Sequence, residues 1–208
     1  MSSSKQRVIV YVDGYNFYYG LKEINWKKLY WLDLVAFFDS FMLEGQKLER
    51  VKYFSAPTNH RGKYQRQNTY FSANKQNDRF ELILGSYINK NVFCRSCHSE
   101  FEVPEEKKTD VNIATQMIAD CVYEKCDISI LVSGDSDLTP PIHFIKEHNP
   151  KHQVYVYFPP RRQGLHLKNI CDSSIYLEHW KSRFRDNQLP ESILTKSNFE
   201  LKKPEKWS

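Results

Sequence analysis

Two apolar runs, each closed by aspartate, constrain this chain most: RVIVYVD at 7–13 and DISILVSGDSD at 127–137. Neither alternates apolar with polar residues, as a strand with one wet face would; β-branched and aromatic residues fill successive positions. Strands of that kind are covered on both faces, which points to a parallel sheet between helical layers. Further strand-like runs at 50–56 (RVKYFSA), 80–88 (FELILGSYI) and 152–160 (HQVYVYFPP) alternate with helical patterns at 32–43, 61–76, 109–125 and 138–148. Thr109 is the expected N-cap of the third helix, with Asp110 in its first turn, and prolines open the fourth. The expectation is an α/β fold in three layers, α/β/α, around a central and mostly parallel sheet. Residues 165–170 and 173–180 read as a short helix and a last edge element, and 89–108 as a polar loop.

At 208 residues the chain is long enough for one hydrophobic core, and 40% hydrophobic with 26% charged residues is ordinary for a globular protein. We therefore expect one domain over 1–185 and a polar, loosely held C-terminal extension over 186–208. No apolar run is long enough to cross a bilayer, and MSSSKQRVIVYVDGYN lacks the features of a signal peptide, so the expected location is the cytoplasm. Five cysteines, an odd number in that setting, argue against a disulfide framework. The net charge of +5 permits a polyanionic partner without requiring one.

In open α/β sheets, ligands sit at the carboxyl ends of the strands, near the point where strand order reverses. Asp13 ends the first strand, Asp135 and Asp137 end the fourth, and Asp110 opens the helix before it. If the first and fourth strands are neighbours, four carboxylates from three segments meet at one edge. Taken singly, Asp13-Gly14 is also a turn and Asp110 also a helix-start charge. Together they cannot all stay ionised without a counter-charge, and oxygen ligands of this kind suit Mg²⁺ or Mn²⁺. Such ions activate water and neutralise phosphoryl charge, so the chemistry indicated is metal-assisted phosphodiester hydrolysis.

VDGYNFY at 12–18, EKKTDVNIA at 106–114 and VSGDSDLTPPI at 132–142, in this order, resemble the NYN family, PIN-like nuclease domains that include LabA-like proteins. The resemblance implies a PIN-like α/β/α sandwich and an Mg²⁺- or Mn²⁺-dependent ribonuclease acting on RNA. It implies that Asp13, Asp110, Asp135 and Asp137 bind metal, that Asn16 holds a metal-bound water or a phosphate, and that Ser133 and Thr139 orient the carboxylates. Many relatives carry a further acid where this chain has Gln116. The competing reading is an RNA-binding or regulatory module that keeps the fold with little turnover. A phosphatase of the haloacid-dehalogenase type needs a second acid two residues after Asp13, where this chain has Tyr15.

Arg161 and Arg162 follow the fifth strand on the acidic edge, and Lys107 and Lys108 precede Asp110, which makes all four candidates for gripping the RNA backbone. Arg61 and Lys63 lie in HRGKYQRQNTYF, where basic residues interleave with tyrosines suited to unpaired bases; an exposed helix with inward tyrosines gives the same pattern. Tyr15, Tyr18 and Tyr19 are candidates for the cleft mouth, whereas Phe17 fits core packing equally well. Cys94, Cys97 and His98 (CRSCH) have the spacing of half a zinc site, with a reduced-thiol loop as the alternative reading and Zn²⁺ as the candidate ion. A homodimer is compatible with a small nuclease gripping a long polymer.

Overall fold

A computed structural model describes residues 5–58 and 60–207. Its strands are β1 (Gln6–Asp13), β2 (Gln46–Ser55), β3 (Phe80–Leu84), β4 (Ser86–Phe93), β5 (Glu100–Lys107), β6 (Ile128–Val132), β7 (Gln153–Phe158), β8 (Ser173–Tyr176), β9 (Ser192–Leu194) and β10 (Glu200–Lys202). Its α-helices are α1 (Gly14–Glu23), α2 (Leu34–Asp39), α3 (Arg61–Asn74), α4 (Thr109–Val122), α5 (Thr139–His148), α6 (Leu165–Ile170) and α7 (Lys181–Asp186).

Six strands form one sheet in the order β3-β2-β1-β6-β7-β8, and every neighbouring pair is parallel. The side chains of β1 divide between two cores, which is why its sequence reads apolar at every position. Val8, Val10 and Val12 pack with Phe17 of α1, Phe37 and Phe38 of α2 and Phe184 of α7. Ile9 and Tyr11 pack on the other face with Met117 of α4, Ile142 of α5 and Leu167 of α6. Each such aliphatic or aromatic side chain contributes about 1.5–3 kcal/mol on burial. The result is the three-layer sandwich expected of a PIN-like domain.

A buried polar cluster interrupts the second core. Lys52 of β2 donates through Nζ to Oδ2 of Asp120 on α4 at 2.5 Å and to the Gln116 carbonyl at 2.7 Å. Tyr11 donates its hydroxyl to the same Asp120 oxygen at 2.9 Å. Gln116, standing where many relatives are expected to carry an acid, thus serves the interior.

Several expectations are corrected. The run at 80–88 divides at Gly85, and the polar loop after it is an antiparallel hairpin of β4 and β5, a sheet separate from the central one. Its turn is closed by hydrogen bonds from Cys94 N to Ser99 O, 2.9 Å, and from His98 N to Cys94 O, 2.8 Å. A Cβ at Gly85 would stand 2.7 Å from the Lys107 carbonyl and 2.9 Å from Thr109 Oγ1, so the missing side chain lets the start of α4 close against the end of β3. Thr109 is the first residue of α4, and Lys108, with a left-handed φ of 76°, takes the N-cap place without a side-chain cap.

The C-terminal residues are not loosely held. Trp31 donates its indole N–H to the Pro190 carbonyl at 2.7 Å, Leu201 and Trp207 are buried, and Arg183 Nη1 donates to the Ser40 carbonyl.

Candidate active site

The order of the central strands reverses between β1 and β6, so the crevice of this sheet lies at their carboxyl ends. Val12 is in register with Val132, which places Asp13 beside Ser133 as both strands end. Asp13 is 2% exposed and caps α1, its Oδ1 accepting the backbone N–H of Asn16 at 3.0 Å. Its Oδ2 accepts from the Asn16 side-chain amide at 2.6 Å and from the Ser133 hydroxyl at 2.8 Å. Asn16 therefore holds Asp13 directly, where the sequence suggested a water or a phosphate.

Ser133 also accepts the backbone N–H of Asp135 at 3.0 Å, and one buried hydroxyl thus joins two acidic segments. Asp135 caps the short turn that follows, its Oδ1 accepting from Asp137 N at 2.9 Å. Thr139 donates to the Ser136 carbonyl at 2.5 Å; it closes that turn and does not orient a carboxylate, a correction to the sequence reading.

Asp110 opens α4 across from these groups. Partial burial, with the negative charges of Asp13, Asp135 and Asp137, pushes its carboxyl up to about 6. The four acids thus share one electrostatic environment, although among the described residues no three His, Cys, Asp or Glu side chains converge closely enough to hold a metal ion. The donor set is all oxygen and the field is strongly negative, which suits a hard divalent cation. Asp110 and Asp137 are exposed to solvent.

The expected RNA-gripping residues divide. Arg162 lies against the acidic loop, since a Cβ at Gly134 would stand 2.8 Å from its own Cβ, but its guanidinium is paired with Glu23 at 2.5 Å. Arg161, Lys107 and Lys108 are exposed, and the Arg161 backbone N–H approaches Glu178 at 3.4 Å. Arg61 is exposed at the start of α3, and Lys63 lines a cavity beside α1. That cavity, about 160 Å³, begins at Gly14 and Tyr15 next to Asp13, and Trp207 forms part of its wall. Sequence reasoning passed over Lys22 and Trp207 there, because neither lies near a recognisable motif.

Cys94 and Cys97 stand at the turn of the β4–β5 hairpin. The Ser99 hydroxyl 2.8 Å away is the chief cause that brings the Cys97 thiol down to about 7, with a contribution from Cys94. His98 has a left-handed φ of 55° and sets its ring edge-on to Phe93. No third ligand joins the two thiols among the described residues.

Residues 7–178 match the family model of the NYN domain. The chain belongs to the NYN domain family. NYN domains are PIN-like and nuclease-type, in keeping with the sheet order and the acidic edge. The whole of this NYN chain aligns at 27% identity, over 249 positions and 77% of the relative's length, with 6-hydroxy-3-succinoylpyridine 3-monooxygenase HspA of Pseudomonas putida. A crystal structure of a protein of unknown function from Vibrio parahaemolyticus superposes with a TM-score of 0.57 at 21% identity, covering 85% of this chain and 96% of that one, and shares the fold. No helix among the described residues of this NYN protein is long and apolar enough to cross a membrane.

Proposed function

We propose that the protein is a divalent-metal-dependent ribonuclease, with Asp13, Asp110, Asp135 and Asp137 holding the ion. The observation that carries this reading is the junction at Ser133, which fixes Asp13 and Asp135 at adjacent strand ends while Asp110 faces their charge. Bound there, Mg²⁺ or Mn²⁺ would activate a water and neutralise charge on the phosphodiester. Asn16 and Ser133 fix Asp13 in direction through the three hydrogen bonds they donate to its carboxylate. Lys107, Lys108 and Arg161 supply positive charge for the RNA backbone around the acids. Among the described residues no serine or cysteine with a positioned base stands at the acidic edge, and the reading has no covalent step.

The test is incubation of the purified protein with single-stranded and structured RNA in Mn²⁺, in EDTA, and with an Asp135→Asn variant. Cleavage in Mn²⁺ that both EDTA and the substitution abolish is the expected result. Intact RNA after long incubation in Mn²⁺ would overturn the nuclease, and RNA binding without turnover would assign the regulatory module. The name of the Pseudomonas relative supports a second reading, oxidation of a hydroxypyridine ring, and the aromatic cavity beside α1 favours it. Oxygen-dependent loss of 6-hydroxy-3-succinoylpyridine in the presence of a two-electron reductant would show that activity.

A further inference from the structure

The cavity beside α1 has a chemistry that the acidic edge does not use. Its walls are largely tyrosine: Tyr15 and Tyr19 lie 4.4 Å apart, Tyr18 and Tyr30 5.3 Å apart, and Tyr30 meets Trp207 at 5.8 Å. Lys22, Lys63 and Arg66 line it as well, and among the described residues no aspartate or glutamate does. Among the described residues none of these three cations is paired with a carboxylate; Lys22 sits 5.1 Å from the centre of the Tyr19 ring. A surface that gathers three cations recognises an anion, and flat aromatic walls recognise a ring. A nucleotide carries both.

The cavity is also in the right place. Gly14 and Tyr15, on its lining, directly follow Asp13, and Tyr53 and Ser55 bring to it the carboxyl end of β2, the neighbour of β1. Its rim is held in shape by Gln67, whose amide donates to Ser55 Oγ at 3.2 Å and to the Ala56 carbonyl at 3.0 Å, and whose carbonyl accepts from Thr58 N at 3.1 Å. At about 160 Å³ it has room for a ring system and not for a double helix.

We infer that this cavity receives one unstacked base of single-stranded RNA beside the acidic edge, with Tyr15 against the ring and Lys63 and Arg66 on its phosphate. The inference takes its substrate class from the nuclease reading and adds a preference: an unpaired nucleotide next to the phosphodiester presented to the acids.

Binding is measured in EDTA, so that it does not depend on cleavage. A fluorescently labelled single-stranded oligoribonucleotide and its duplex are titrated with the full chain, with Tyr15→Ala, and with Lys63→Ala combined with Arg66→Ala. These positions lie at the surface, and thermal melting checks that each variant folds. The single strand should bind more tightly than the duplex. Tyr15→Ala should weaken it about tenfold, the scale of one lost base stack. The double variant should flatten the dependence of log K on log salt by about 1.4, two phosphate contacts on a single strand. Wild-type affinity for the single strand in folded Tyr15→Ala, or equal losses on single strand and duplex, would overturn the cavity assignment while leaving cleavage in Mn²⁺ to be judged separately. Retained RNA binding with Tyr15-dependent binding of 6-hydroxy-3-succinoylpyridine would overturn it in favour of a small-molecule site.

Discussion

The hydroxyl of Ser133 lies 2.8 Å from Oδ2 of Asp13, across the seam between β1 and β6, and accepts the N–H of Asp135 from the other side. One buried oxygen therefore sets the spacing of two acidic segments, and removing it leaves a buried carboxylate oxygen and a backbone donor each short of a partner. Ser133→Ala should destabilise the fold by about 1–3 kcal/mol in urea unfolding. If the proposed ion binds there, the same variant should weaken Mn²⁺ binding by about 10–100-fold, the usual cost of losing a group that orients a ligand. Unchanged stability and metal affinity would show that the hydroxyl is dispensable.

The Asp110 carboxyl, raised to about 6, gives the metal-free protein a measurable pH dependence. Between its unfolded value near 3.8 and 6, the folded chain holds the proton more tightly, so this group lowers stability as pH rises through that window. Its penalty is fully present above about 6 and disappears as pH falls toward 4. His152 acts oppositely, because burial lowers its affinity for a proton and favours unfolding as pH falls below 6.5. The informative quantity is thus the difference from Asp110→Asn: in EDTA the variant should be the more stable above pH 6, and the difference should close toward pH 4. A pH-independent difference would contradict the shared field.

Lys52 and Asp120 form a pair whose side chains are 5% and 0% exposed. Lys52→Met removes the buried cation from Asp120 and leaves its charge to the Tyr11 hydroxyl and to Lys125, which reaches Oδ1 at 3.3 Å without hydrogen-bond geometry. Equilibrium unfolding should show a loss of about 3–5 kcal/mol, and replacing both partners by apolar residues should cost much less. A small loss in the single variant would mean that water enters the cluster.

Glu23 pairs with the Arg162 guanidinium, which in the nuclease reading withholds that cation from the RNA backbone. Both side chains are partly exposed, so the pair stabilises the fold by no more than about 1 kcal/mol. Glu23→Gln should leave the melting temperature nearly unchanged, tighten RNA binding, and steepen its salt dependence by about 0.7, one phosphate contact on a single strand. Unaltered salt dependence would remove Arg162 from the RNA-binding surface.

Much of this architecture was legible because the central strands are buried on both faces and therefore carry continuous apolar runs. RVIVYVD and DISILV are read without ambiguity, and their neighbourhood in the sheet puts Asp13 beside Ser133. The β4–β5 hairpin left no such trace: Phe93 and Phe101 remain about half exposed, and the segment reads as polar loop. Trp207 was equally silent, since its burial against Tyr30, Trp31 and Tyr70 depends on contacts from far along the chain. Thr139 was misread for another reason: a hydroxyl at a helix start satisfies a local carbonyl more readily than it reaches a carboxylate.

The seam between β1 and β6 joins positions 120 residues apart. Closing so large a loop must precede any contact that rewards it, which places this pairing among the slow events of folding. A chain emerging from the ribosome would build β1, β2 and α1 long before β6 exists, and would carry Asp13 without its partner serine. The acidic edge is therefore a late product of folding, complete only once β6 has paired with β1 and set Ser133 against Asp13.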